Sequence, residues 1–188
     1  MSNSGDPDLF KQISDATEKA VRDAEIFLPE DVKARLVHAL NTESVLVARQ
    51  ELENIIENIC LAEERSAPIC QDTGIPVIYV TIPPGITWVP EMEQAVFTGI
   101  VNATDKVPLR PNLVNPLSRE NTGTNIGLGM PPVHVKSGEK FTITALPKGA
   151  GSENVSRIAM MNPSDKDSIP RFIVETMLIA GGRPCPPV

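Results

Sequence analysis

The sequence predicts an α+β fold: an N-terminal helical bundle packed against a small mixed β-sheet with flanking helices. Three observations predict it. Apolar residues recur at helical spacing through the N-terminal third. Two later regions, around residues 76–82 and 132–146, are β-rich and short. The 18 prolines fall almost entirely from Pro68 onward, so the first third reads as helix and the rest as short elements joined by shaped loops. The expected organisation is a helical region over 1–66 and an α/β region over 67–188 carrying the motif loops, together forming one compact unit.

Taken in order, residues 1–7 are polar and read as a frayed end. Leu9, Phe10, Ile13, Ala16, Ala20, Val21 and Ala24 form the stripe of a first amphipathic helix that stops before Pro29. Pro29-Glu-Asp starts a second, with acids against the positive end of its dipole and Val32, Leu36, Val37 and Leu40 facing inward. Asn41 or Thr42 is the expected cap of a third, whose inner face runs Val45, Leu46, Ala48, Leu52, Ile55, Ile56 and Ile59. Cys60 on this helix reads as a small buried hydrophobe, and His38 as a packing or surface residue. A strand follows over Pro76–Ile82, then a helix from Pro90 to about Lys106 that Gly99 weakens. Pro132–Lys136 and Lys140–Leu146, joined by Ser137-Gly-Glu139, predict a β-hairpin in which His134 is structural. A glycine-rich turn over 147–154 leads into an expected helix over Val155–Met161. The last helix, about Asp167 to Ala180, should face Ile169, Phe172, Ile173, Thr176, Met177 and Ile179 inward until Gly181-Gly182 stops it.

The composition excludes several functions. A formal net charge of −7 argues against nucleic acid or an anionic membrane as the main partner. An aromatic content of 4% removes base-stacking platforms. No apolar run approaches a membrane span, and the first residues lack the regions of a signal peptide. Three widely spaced cysteines form no disulfide framework. The chain is read as cytoplasmic, with reduced thiols.

Three loops carry candidate chemistry. Ser66–Gly74 puts a thiol, an amide, a carboxylate and a hydroxyl on one connection between helix and strand: Cys70, Gln71, Asp72 and Thr73. Alone, this could be a buried cysteine beside a capping aspartate. Val107–Gly129 has no periodicity, yet Leu109, Leu113, Val114 and Leu117 sit among its prolines, so it reads as an ordered functional loop. Lys148-Gly-Ala-Gly-Ser-Glu-Asn154 lets backbone N–H groups approach an anion, or serves as a plain turn. Cys70 and Cys185 lie about 115 residues apart in proline-flanked loops, without the paired spacing of a structural zinc site. Single cysteines from distant loops suit a cluster site instead.

Cys70-Gln-Asp-Thr-Gly74, Asn121-Thr-Gly-Thr-Asn125, Lys148–Asn154 and Cys185-Pro-Pro187 together resemble the class I (iron–sulfur) fumarate hydratases and the related L(+)-tartrate dehydratases. The motifs occur in family order over residues 66–188, and the length resembles the N-terminal portion of an α subunit. The resemblance implies a [4Fe-4S] cluster held by three cysteines, with one iron open as a Lewis acid. It makes Cys70 and Cys185 the first two ligands. Gln71 would contact substrate, and Asp72 would sit beside the substrate hydroxyl as general acid. Arg110 would clamp a substrate carboxylate, and the backbone of Gly151 would approach the substrate. The Asn121–Asn125 run would shape the pocket wall.

The family's third cluster cysteine lies downstream of Cys-Pro-Pro, and this sequence stops three residues after Cys185. Cys60 matches no family ligand. The catalytic base and further carboxylate-binding residues belong to the family's C-terminal half or β subunit. The expectation is therefore a fragment, inactive and clusterless alone, that works with a β subunit on a dicarboxylate and self-associates through exposed apolar surface. Its reaction would be reversible hydration of fumarate to malate. The competing readings are an L(+)-tartrate dehydratase α subunit, a non-catalytic iron–sulfur module, and a phosphate site at the glycine loop.

Overall fold

The computed structural model describes residues 7–183, apart from the side chains of Ala150, Ser152 and Glu153. The chain is α+β and divides into two compact units, Met1–Lys148 and Gly149–Val188.

In the first unit, α1 (Pro7–Ile26), α2 (Glu30–Thr42) and α3 (Leu46–Arg65) precede β1 (Ile75–Ile82), α4 (Pro90–Lys106), β2 (Val133–Ser137) and β3 (Thr142–Lys148). The sheet order is β2-β1-β3. β2 runs parallel to β1, from Ile78 opposite Val133 to Ile82 opposite Ser137, and β3 runs antiparallel to it, from Ile75 opposite Lys148 to Thr81 opposite Thr142. The expected hairpin is therefore incorrect. β1 carries the fully buried Ile78 and Val80 and takes the centre, where both of its edges are paired. Between β1 and β2, α4 and the loop that follows it form the long crossover that a parallel pair requires. The chain then passes the end of β1 at Gly138, whose N–H donates to the Ile82 carbonyl at 2.9 Å. A side chain at Gly138 would collide with Thr81 Cγ2.

The core joins Ile13, Val21 and Ile26 of α1 to Met92, Val96, Ile100 and Ala103 of α4 and to Ile78 and Val80 of β1. Gly99 has a packing role as well as its helix-weakening one: a Cβ there would lie 2.5 Å from the Ser14 carbonyl oxygen and 2.7 Å from Thr17 Cβ. It is the point of close approach between α1 and α4. The other side of the sheet carries Tyr79 and His134, both exposed, with rings stacked at 5.0 Å.

The α2–α3 pair departs from its predicted faces. Leu36, Ile59 and Ala62 are buried, but Val37, Val45 and Leu46 are exposed. Neither Asn41 nor Thr42 caps α3. The Thr42 hydroxyl bonds back to the His38 carbonyl at 3.0 Å and finishes α2, while the Glu43 carboxylate accepts the Val45 N–H at 2.7 Å. Cys60 is exposed, not buried. It lies one residue, about 100° around the helix, from the buried Ile59, which turns it out of the seam. Lys33 and Glu63 tie α2 to α3 at 3.1 Å.

The second unit holds 3₁₀ turns at Ala150–Val155 and Pro163–Asp165 and the helix α5 (Ser168–Ala180). The expected helix over Val155–Met161 is absent, since residues 156–162 are irregular. α5 ends at Gly181, with φ of 59°. Its predicted inner face is largely open. Phe172 and Thr176 are half-buried under Arg157, whose guanidinium lies 5.0 Å from the Phe172 ring, but Ile169, Ile173, Met177 and Ile179 are exposed.

Candidate active site

The Cys70 loop begins where α3 stops. Ser66 adopts the left-handed conformation, and the Ala67 N–H caps the helix on the Ala62 carbonyl at 3.1 Å. The loop is then pinned from two sides. The Ile69 N–H donates to the Glu25 carbonyl of α1 at 2.9 Å, and Asn58 Nδ2 of α3 donates to the Ile69 carbonyl at 2.8 Å. Cys70 and Gln71 face solvent, and Asp72 is half-buried. The Asp72 N–H donates to Cys70 Sγ at 3.4 Å.

Thr73 turns inward, with only 4% of its surface exposed. Its Oγ1 accepts the Arg110 N–H at 3.0 Å and donates to the Arg110 carbonyl at 3.4 Å. Gly74, at φ of 69°, makes the left-handed turn into β1, and its carbonyl accepts from Asn112 Nδ2 at 2.8 Å. The irregular loop after α4 is thereby stitched to the Cys70 loop. Asn125, 1% exposed, braces it from behind: Oδ1 accepts the Asn112 N–H at 2.9 Å, and Nδ2 donates to Thr104 Oγ1 at 3.1 Å and to the Arg110 carbonyl at 3.3 Å. Asn121 Nδ2 adds a bond to the Pro111 carbonyl at 2.7 Å. The Asn121–Asn125 run thus acts as a brace, its two asparagines holding residues 110–112.

Glu25 was missed by sequence reading. It lies at the end of α1 with 7% of its surface exposed, and burial foremost, then the negative charge of Asp72, pushes its carboxyl up to about 8. A neutral acid therefore lies behind the Cys70 loop at pH 7. The signal was in the spacing. Ile13, Thr17 and Val21 are buried at intervals of four, and Glu25 continues that stripe.

Among the predicted site residues, the first unit brings Cys70, Gln71 and Asp72 onto one pinned loop, bonded through Thr73 to the main chain of Arg110. Gly151 lies half-buried on the Ala150–Val155 turn of the second unit. Cys185 lies outside the described residues. Among the described residues, no three histidine, cysteine or acidic side chains gather in a metal-binding group. Cys70 is an exposed free cysteine whose sulfur accepts the Asp72 N–H.

A family model described as "Fumarate hydratase (Fumerase)" matches residues 14–188. A protein of Methanocaldococcus jannaschii, provisionally named as an L(+)-tartrate dehydratase α subunit, is 44% identical over 94% of this chain and 65% of its own length. One of Geobacillus stearothermophilus, provisionally named as a class I fumarate hydratase, is 38% identical over 68% of this chain and 25% of its own. The L(+)-tartrate dehydratase α subunit of an Escherichia coli strain is 27% identical over 86% of this chain and 54% of its own. The class these matches define is that of enzymes that add or remove water. The chain belongs to the fumarate hydratase (Fumerase) family, and it spans between a quarter and two thirds of the length of these relatives.

Proposed function

We propose that the chain is the α-subunit portion of an iron–sulfur hydro-lyase that hydrates fumarate reversibly to malate. The observation that carries this reading is the hydrogen-bonded joining of the Cys70–Gly74 loop to the Arg110 segment, which puts a thiol, an amide, an acid and an arginine on one braced framework. In this reading Cys70 and Cys185 hold two corners of a [4Fe-4S] cluster, and a third ligand comes from outside this sequence. When bound, the cluster supplies an open iron as Lewis acid for the substrate hydroxyl.

The chain's own residues bind and orient. Arg110 engages a substrate carboxylate with its planar fork of donors, and Gln71 donates to a substrate oxygen. Asp72 holds the proton that leaves with the hydroxyl as water in dehydration, and takes it back from water in hydration. The backbone at Gly151 approaches the substrate without side-chain interference. A β subunit completes the site with the base and further carboxylate contacts, in a cytoplasmic hetero-oligomer that also self-associates. The relatives named as α subunits support a β-subunit partner, and the apolar residues exposed on α5 support self-association.

The second reading, L(+)-tartrate as substrate, is favoured by the 44% identity to the M. jannaschii protein. Both reactions remove water from a hydroxy-dicarboxylate and need the same residues. Turnover of fumarate and of L(+)-tartrate by the complete enzyme separates them. In either case Asp72→Asn is expected to lower kcat by about 10²–10⁴, and a variant within twofold of wild type would remove Asp72 from the chemistry.

A further inference from the structure

We infer that Thr73 and Asn125 are positioning residues for Arg110, two buried side chains that fix its main chain and leave its guanidinium to a ligand carboxylate. The inference rests on the proposed role of Arg110 as a carboxylate clamp.

Arg110 lies in an irregular stretch whose peptide groups would ordinarily be hydrated. Instead, its N–H is held by Thr73 Oγ1 at 3.0 Å, and its carbonyl accepts from Thr73 Oγ1 at 3.4 Å and from Asn125 Nδ2 at 3.3 Å. The two side chains come from positions 37 residues before and 15 residues after it. Both are almost wholly buried, so the side-chain end of each of these part-buried bonds is shielded from water. Asn125 is itself fixed at both ends of its amide, by the Asn112 N–H and by Thr104 on α4. The framework therefore runs from the α4 core through Asn125 to Arg110, and from Arg110 through Thr73 to Asp72 and Cys70.

The Arg110 side chain is exposed, and its guanidinium has no hydrogen-bond or ion-pair partner among the described residues. A held backbone under an available cation is the arrangement of a preorganised anion contact. A bidentate arginine–carboxylate pair depends on geometry, so a shift of the loop would weaken ground-state binding before it altered the chemical step.

The test compares Thr73→Val, which keeps the shape and removes the hydroxyl, with Thr73→Ser, which keeps the hydroxyl. Asn125→Ala is the second probe should Thr73→Val fail to fold. In the complete enzyme, Thr73→Val is expected to raise KM for the dicarboxylate by about 10-fold or more while kcat changes less than about threefold, and Thr73→Ser is expected to stay within about twofold. Arg110→Ala should raise KM at least as far, and adding Thr73→Val to it should cause no further rise. Amide exchange gives a readout that needs neither cluster nor partner. Exchange at Arg110 should accelerate at least about 10-fold in Thr73→Val or Asn125→Ala and stay near wild type in Thr73→Ser. If Arg110→Ala raises KM but Thr73→Val and Asn125→Ala do not, the positioning role is wrong and the clamp stands. If Arg110→Ala leaves KM unchanged, the clamp assignment itself fails.

Discussion

The two units of the chain treat their functional segments in opposite ways. In Met1–Lys148, an irregular stretch of more than 20 residues is held by side-chain hydrogen bonds: the buried Thr73 and Asn125 and the half-buried Asn112 bind the loops to one another and to α4. In Gly149–Val188, α5 is regular in backbone but has no fully buried residue, and Ile173, Met177 and Leu178 are exposed. Regular secondary structure is therefore a poor guide to where this chain is well determined. A coil can be fixed when its polar groups are satisfied internally, whereas a helix with an open apolar face lacks the packing that normally stabilises it.

The sharpest way to break the comparison is to shorten one isoleucine in each unit. Ile100→Ala, in the α1–α4 core, should cost about 2–5 kcal/mol because it removes buried methyl groups and leaves a cavity. Ile173→Ala on α5, where half of the side chain is already hydrated, should cost under about 1 kcal/mol. Denaturant unfolding of the two variants measures both. Equal losses would mean that α5 is as firmly packed as the core.

Glu25 gives the next largest expected effect. An unfolded glutamate releases its proton near pH 4.5, whereas the folded carboxyl holds it to about 8. Between those values the folded chain binds the extra proton, so stability falls as pH rises through that window, by an amount on the order of a few kcal/mol. Glu25→Gln should flatten this dependence and raise the melting temperature most at pH 8. An unchanged pH profile would show that the carboxyl is already ionised in the fold.

The smallest effect is expected at the surface pair joining α4 to α1. Lys106 Nζ lies 2.7 Å from Glu18 Oε1, but the lysine is mostly hydrated, so Lys106→Ala should change stability by less than about 1 kcal/mol. Chemical denaturation would detect a larger contribution.

Much of the fold was legible because the helices declare themselves by period. α1, α4 and α5 begin and end within a few residues of where the apolar stripes and the prolines put them. What failed was pairing and depth. Ser137-Gly-Glu139 between two β-rich runs reads as a turn, but a local signal does not state that the more apolar β1 will take both neighbours. Periodicity likewise named the apolar sides of α3 and α5 without showing whether anything lies against them, which is why Leu46 and Ile173 are exposed. The loop motifs located the candidate site but not its bracing. Thr73 and Asn125 act on Arg110 through hydrogen bonds across 37 and 15 residues, and no spacing rule announces such contacts. Glu25 was visible in principle, as an acid at the next step of a four-residue stripe.

The most direct test lies in the two exposed cysteines of the first unit. Cys70→Ser and Cys60→Ser in the complete enzyme, each followed by visible iron–sulfur absorption and by fumarate turnover, separate a site thiol from a surface one. The expected result is loss of both signals in Cys70→Ser and retention of both in Cys60→Ser. Turnover surviving in Cys70→Ser, or lost in Cys60→Ser, would contradict the assignment of the Cys70 loop as the heart of the site.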